Sequence, residues 1–252
     1  MEPYLIQKSE DGLLVFTINR ADKRNAVNDE IINGLQKAVE QAYDQDVKAF
    51  VITGAGDRAF CSGGDLSVFH QLHTEEEAYG MLSKMSQVLT DVFLLPKPTI
   101  AVLNGTAVGG GCEIAAACDF RIARKGIKAG FIQGTLAITT GWGGGTMILE
   151  KLAPAKGLKM LMEAGLYYTD ELKELGFVDD VYEGDAQAGL QRFVSQILKL
   201  ESGVTSAYKE ILIRRWKESG VIERIEEEVR SCAMLWEQDA HHKQVENFLN
   251  KK

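Results

Sequence analysis

Short runs of apolar and β-branched residues alternate with segments whose apolar positions recur every three or four residues. Leu13–Ile18, Ala49–Thr53, Thr99–Asn104 and Asp119–Ala123 are runs of the first kind, bounded by Gly, Asn or Lys, and are predicted to be buried strands. Asn28 stands where a helix N-cap would, followed by Ile31, Leu35, Ala38, Val39 and Ala42 on one helical face. This is α/β ordering within one unit. After Gly145 the pattern turns helical: Thr146–Leu152, Gly157–Ala164, Thr169–Leu175, Thr205–Glu218 and Ile222–Leu249 are predicted helices, with Phe177–Val181 strand-like between them. The last carries a stripe of Ile222, Ile225, Val229, Cys232, Leu235 and Trp236, fit either for its own domain or for a subunit contact. We divide the chain into an α/β domain, residues 1–195, and a helical carboxy-terminal region, residues 196–252.

With 252 residues and 45% hydrophobic content, the chain can bury a sizeable core. A formal net charge of −8 gives no electrostatic case for nucleic acid or an anionic membrane, so a phosphate-bearing ligand must be met by local cations and amides. The amino terminus has no basic segment followed by an apolar run, and no apolar stretch reaches the roughly 18 residues of a membrane span. A soluble, cytoplasmic protein is expected. Cys61, Cys112, Cys118 and Cys232 lack zinc-site spacing and the density of a disulfide framework, and read as small buried residues. No metal site is expected.

Two glycine turns, Ala59-Phe60-Cys61-Ser62-Gly63-Gly64-Asp65-Leu66 and Asn104 through Gly109-Gly110-Gly111-Cys112-Glu113, each follow a strand-like run and lead towards a helix. Glycine lets a ligand approach the main chain, and a helix N-terminus supplies free N–H groups suited to a negative oxygen. The plainer reading is a tight strand-to-helix connection. The second turn fits neither Gly-x-Gly-x-x-Gly nor Walker A spacing, so composition and spacing lead only to an anion-stabilising site.

Asn19-Arg20-Ala21-Asp22-Lys23-Arg24-Asn25-Ala26, Phe60 to Leu66, and Lys97-Pro98-Thr99-Ile100-Ala101 through Gly109–Glu113 to Cys118-Asp119 resemble three successive blocks of the enoyl-CoA hydratase/isomerase (crotonase) superfamily. Gly141-Trp142-Gly143-Gly144 and Gly165 to Val178 continue the match, which spans essentially the whole chain. The resemblance implies a crotonase-like (ClpP/crotonase) spiral of ββα units with a helical carboxy-terminal trimerisation region, assembled as a homotrimer or a hexamer. It implies an acyl-CoA substrate, with coenzyme A as part of that substrate and no separate cofactor. Carried over by position, the N–H groups of Gly64 and Gly110 match the family's oxyanion hole. Arg24, Asn25, Ala26, Ser62, Asp65, Leu66, Gly109 and Trp142 fall in the segments that receive the thioester and its coenzyme A arm. Phe248, Lys251 and Lys252 resemble the carboxy-terminal residues that reach coenzyme A from a neighbouring subunit.

Glu113 matches the first of two glutamates that hydratases of this family use to position and deprotonate water, although a glutamate in a first helical turn is also favourable without catalysis. Ungapped counting to the second glutamate reaches Gln133, and a shifted register reaches Thr135. Neither can exchange a proton near neutral pH, and no Asp or Glu occurs between Asp119 and Glu150. Syn-hydration is therefore in question. Double-bond isomerisation, or decarboxylation of a malonyl-type thioester, needs the oxyanion hole and at most one acid/base; Phe131 to Gly144 resembles the decarboxylase members. A catalytically silent acyl-CoA binder is the alternative of another class. His70 and His73 are expected on one helical face, as surface residues or as proton-transfer groups. Glu75-Glu76-Glu77 and Glu226-Glu227-Glu228 read as solvated helix faces.

Overall fold

The computed structural model describes residues 2–65, 69 and 71–250. Strands β1 (Tyr4–Lys8) and β2 (Leu13–Ile18) form an antiparallel hairpin, and after helix α1 (Asp29–Ala42) β2 is joined in parallel by β3 (Ala49–Gly54). From β3 the chain climbs in turns of two strands and a helix. β3 is followed by β4 (Ala59–Cys61) and later α2 (Glu75–Phe93). β5 (Thr99–Leu103) is followed by β6 (Thr106–Val108) and α3 (Gly110–Ala117), and β7 (Phe120–Arg124) by β8 (Lys128–Gly130) and α4 (Gly144–Lys151). The second strands, with β9 (Tyr167–Tyr168), make a four-stranded sheet in the order β4-β6-β8-β9. The first strands, with β10 (Asp180–Tyr182), make a six-stranded sheet in the order β1-β2-β3-β5-β7-β10. This is the expected spiral of ββα units.

The central strands of the larger sheet, β2, β3 and β5, are almost wholly apolar because both faces are covered. Phe50, Ile52, Ala101, Leu103 and Ala123 face the main core, which includes the buried sides of α1, α2 and α3. The alternate residues Ala49, Val51, Ile100, Val102 and Ile122 face a smaller core closed by Leu190 and Val194 of α7 (Ala186–Val194). Helix α1 starts as predicted: Asn28 Oδ1 accepts the Ile31 N–H at 3.2 Å, and Ile31, Leu35, Ala38, Val39 and Ala42 are all buried.

In its helices and turns the structure departs from the sequence reading in four places. Helix α7 was not expected. Its Gly189 lowers helix propensity, but a Cβ there would lie 2.7 Å from Tyr182 Cβ, so the glycine is what lets the helix sit on β10. The long terminal helix is two, α9 (Val221–Trp236) and α10 (Asp239–Leu249), and its stripe is narrower than expected: Ile225, Val229, Cys232 and Trp236 are buried, whereas Ile222 and Leu235 are exposed. Phe177 and Val178 are core residues of the turn before β10 and not part of the strand. Thr74 and Glu77 form a reciprocal capping box at the start of α2, so Glu77 is more than a solvated charge. Between these, α5 (Pro154–Glu163), α6 (Thr169–Leu175) and α8 (Ser202–Glu218) lie close to their predicted ranges.

All four cysteines are buried free thiols. Burial pushes Cys61 and Cys118 up to about 12. The folded protein should therefore resist alkylation by iodoacetamide at pH 8, with four alkyl groups added by mass spectrometry only after denaturation; rapid labelling of the native protein would contradict the packing. Among the described residues no helix is long and apolar enough to cross a membrane.

Candidate active site

The Ser62–Asp65 segment leaves β4 and is held from one side. The Val27 N–H donates to Gly63 O at 2.9 Å, and the Asp65 N–H donates to Val27 O at 2.8 Å. Successive amides of an extended chain alternate sides. With Gly63 O and Asp65 N turned to Val27, the Gly64 N–H points the other way, and among the described residues no backbone oxygen accepts it. Arg20 ties the segment to the stretch beside it, forming an ion pair to Asp65 at 2.8 Å and donating to Ala26 O at 2.6 Å.

Gly110 approaches from the opposite turn. It is the first residue of α3; the Cys112 and Glu113 N–H groups already donate to Gly109 O, at 2.9 and 3.2 Å, whereas among the described residues no backbone oxygen accepts the Gly110 N–H. Gly109 turns the chain there at φ 55°, a conformation glycine tolerates, while its own N–H is spent on Gly130 O at 3.0 Å. The turns nearly touch: a Cβ on Gly63 would lie 3.2 Å from Gly110 N. Beneath them is the indole of the buried Trp142. A Cβ on Gly110 would lie 2.1 Å from its Cζ3, and one on Gly64 would lie 3.7 Å from its Cζ2. Two free amides and an aromatic floor can hold an oxygen that gains negative charge.

The far end of α3 is closed electrostatically. Lys151 Nζ donates to Ala116 O at 2.6 Å, Ala117 O at 3.2 Å and Cys118 O at 2.6 Å, and lies 4.7 Å from the Phe93 ring centroid. Burial pulls its ammonium well below the usual lysine range. A cation at the C-terminal carbonyls complements the helix dipole while the N-terminal amides stay open.

Glu113 is placed differently from the open acid/base expected of it. It is buried, and four donors converge on its carboxylate: Gln133 Nε2 at 2.8 Å and the Gly141 N–H at 3.3 Å on Oε1, the Trp142 N–H at 2.8 Å and the Gly144 N–H at 3.0 Å on Oε2. A carboxylate has about four lone-pair sites, so none is left over. Glu113 thus builds the Gly141–Gly144 turn that carries Trp142. Gln133, in the short helical turn Gln133–Leu136, occupies the facing position; Thr135 is exposed and its hydroxyl donates to Ile132 O. The ungapped register is the one realised in space.

The remaining expected residues divide. The Asn25 side chain is fully buried and works internally: Oδ1 accepts the Arg20 N–H at 3.0 Å, and Nδ2 donates to Ala55 O at 3.0 Å and Ala59 O at 2.7 Å. It shapes the loop and does not face a ligand. Arg24 is exposed with φ 51°, its carbonyl accepting the Ser62 N–H at 3.1 Å, and Ala26 is buried beside them. Leu66, His70, Lys251 and Lys252 lie outside the described residues, and Phe248 is exposed on α10. His73 is exposed, its ring 5.1 Å from that of His242.

Sequence reasoning missed Glu228. It is not part of a solvated face: its carboxylate accepts the Gly145 N–H at 3.0 Å and the Thr146 N–H at 2.6 Å. Two carboxylates therefore share the N-terminus of α4. Burial, and after it the Glu228 charge, push Glu113 up to about 7 against the opposing pull of its N–H donors. Between its ordinary 4.5 and about 7 the folded chain holds a proton that the unfolded chain has released. The stability tied to this group is full below the lower value and is lost as pH rises through the higher, a loss on the order of 3 kcal/mol. Urea unfolding at pH 5 and pH 8 should show wild type losing more than Glu113→Gln; equal losses would contradict this assignment.

The sequence and the fold both have relatives among known proteins. Residues 8–252 match the family described as Enoyl-CoA hydratase/isomerase. Over 231 residues the chain is 29% identical to ethylmalonyl-CoA decarboxylase of Xenopus laevis, covering 90% of this chain and 75% of that one. Over 181 residues it is 34% identical to crotonyl-CoA hydratase of Syntrophomonas wolfei, covering 71% and 69%. The crystal structure of an enoyl-CoA hydratase/isomerase from Xanthobacter autotrophicus Py2 superposes with a TM-score of 0.89 at 23% identity, covering 98% of this chain and 93% of that one, and shares the fold. With the ββα spiral, the ordered sequence blocks and a family match over nearly every residue in agreement, the chain belongs to the enoyl-CoA hydratase/isomerase family.

Proposed function

We propose that the protein acts on an acyl-CoA thioester whose carbonyl oxygen is received by the N–H groups of Gly64 and Gly110, and that it reaches the thioester enolate by releasing carbon dioxide from a malonyl-type substrate. The bond from C2 to the carboxylate breaks, its electron pair passes into the enolate, and the two amides stabilise the resulting oxyanion. C2 then takes up a proton delivered from solvent water, which is left as hydroxide and is neutralised by the buffer. The thioester carbonyl is the electron sink, so no separate cofactor is required.

One observation carries this choice. Glu113 is saturated by four donors and faces Gln133, so the two available carboxylates that would orient and deprotonate a water are lacking among the described residues of the site. Likeness to an ethylmalonyl-CoA decarboxylase over 90% of the chain supports the same reading. Hydration is the second reading, favoured by the 34% identity to a crotonyl-CoA hydratase. Self-association belongs to the proposal as well: Leu149, Leu158, Met162, Leu166 and Tyr168, on α4, α5 and the β9 segment, leave apolar surface exposed and support a homotrimer or a hexamer.

Incubation with ethylmalonyl-CoA, methylmalonyl-CoA, crotonyl-CoA and a 3-enoyl-CoA, followed by mass spectrometry, tests the reading. Loss of carbon dioxide from a malonyl-type thioester is expected. Water gain by crotonyl-CoA without decarboxylation would overturn it in favour of hydration, and tight binding without any turnover would make the protein a silent binder.

A further inference from the structure

Gln133 Oε1 is buried and has no hydrogen-bond partner, although the same amide donates through Nε2 to Glu113 at 2.8 Å. An ionised carboxylate only accepts, so it must hold the amide with its NH2 inward and leave the carbonyl unpartnered. The other three partners of Glu113 are the backbone N–H groups of Gly141, Trp142 and Gly144, which can only donate. Among its hydrogen-bond partners in the described residues, a proton arriving on Glu113 from solvent therefore finds one acceptor, Gln133 Oε1, once the amide makes a half-turn about its soft terminal torsion. That half-turn carries the NH2 to where Oε1 now lies, beside the Gly109–Gly110 turn; a Cβ on Gly109 would be 3.9 Å from Oε1.

We propose that Gln133 is a specificity-determining residue whose free amide group reverses with the protonation of Glu113, showing a carbonyl beside the Gly109–Gly110 turn when Glu113 is ionised and an NH2 when it is neutral. The NH2 receives an acceptor, such as the carboxylate on C2 of a malonyl-type thioester, and the carbonyl rejects it. The choice of ligand rests on the decarboxylase reading above, whereas the reversal does not. Among the described residues Glu228 on α9 is a charged side chain acting on Glu113, while Cys112 on α3 and Cys232 on α9 present thiols that burial keeps neutral. Among the described residues, the hydrogen-bond partners of Glu113 on the remaining sides are backbone N–H groups and the Gln133 amide. Burial and the Glu228 charge set the reversal at about pH 7.

Two measurements test this. Without substrate, infrared difference spectra across pH 5.5 to 8.5 should contain a carboxylic C=O band that Glu113→Gln removes and that Gln133→Leu moves to higher wavenumber, because the acid loses its acceptor. A band unmoved in Gln133→Leu would overturn the reversal. With ethylmalonyl-CoA, wild-type kcat/KM should fall by about a factor of ten per pH unit above the transition, as one required proton dictates. In Glu113→Gln the new amide donates to Gln133 Oε1 at every pH, so the NH2 stays exposed and the profile should be flat; an unchanged fall would overturn the specificity role. If wild type decarboxylates no malonyl-type thioester at any pH, the decarboxylase reading fails, and the spectra still decide the reversal.

Discussion

Glu113→Ala should be the most destabilising single substitution in the site, lowering the unfolding free energy by about 4 kcal/mol or more at neutral pH. The carboxylate is the common acceptor of three backbone N–H groups and one side-chain amide, all inside the protein. A buried donor left without a partner costs about 1–3 kcal/mol, and alanine would strand four. Glu113→Gln should cost less, about 1–2 kcal/mol, because its carbonyl still accepts from Trp142 and Gly144 while its NH2 turns to Gln133. The Gly141 N–H, already the most distant donor at 3.3 Å, is the one left over. Urea denaturation of the two variants measures this directly. Equal and small losses would mean that the Gly141–Gly144 turn does not depend on the carboxylate.

The largest catalytic effect is expected from the smallest change, Gly110→Ala. The new Cβ would be placed 2.1 Å from Trp142 Cζ3 and 2.5 Å from its Cη2, and the indole has little room to retreat because Trp142 is buried and its own N–H is tied to Glu113. The start of α3 must move instead, taking the Gly110 N–H away from the oxygen it is proposed to receive. Loss of one oxyanion donor typically costs about 10²–10³ in rate, and kcat should carry the loss. Trp142→Phe in the same chain should restore part of it, since the smaller ring gives way to the methyl group. Gly80→Ala is the control: that glycine is exposed on α2 with nothing within 4 Å of its Cβ position, and the change should raise stability by about 0.5–1 kcal/mol without altering turnover. Normal kcat in Gly110→Ala would remove this amide from the site.

Why some of this was legible in the sequence and some not follows from the range of each interaction. Leu13–Ile18 and Thr169–Leu175 match the observed elements residue for residue, and α1 could be placed by its cap and its apolar face, because a buried parallel strand or an amphipathic helix writes its period into contiguous residues. Strands β4, β6 and β8 are three residues each, too short for any period to show. The glycine turns and Glu113 stood out by motif. Glu113's role did not, since it depends on donors 20 to 31 positions away. Glu228 and Thr146 are 82 positions apart, and Arg20 and Asp65 are 45 apart. Helical spacing held an unused clue in two cases: Glu228 borders the buried Ile225 and Val229 face, and Lys151 follows Met147 by one turn on the inner side of α4. A charge at a core position of a helix is a request for a partner.

Helix α3 buries all eight of its residues, and its second glycine is as constrained as its first: a Cβ on Gly111 would sit 2.2 Å from Cys61 O. The element that would hold the reacting oxygen therefore has almost no substitution space of its own. Anyone redirecting this scaffold towards a new reaction must leave Gly110–Ala117 alone and vary what leans over it, beginning with Gln133, whose amide donates to Glu113 and lies beside Gly109. A library spread over such positions would keep the two converging amides in every member and sample only what surrounds them.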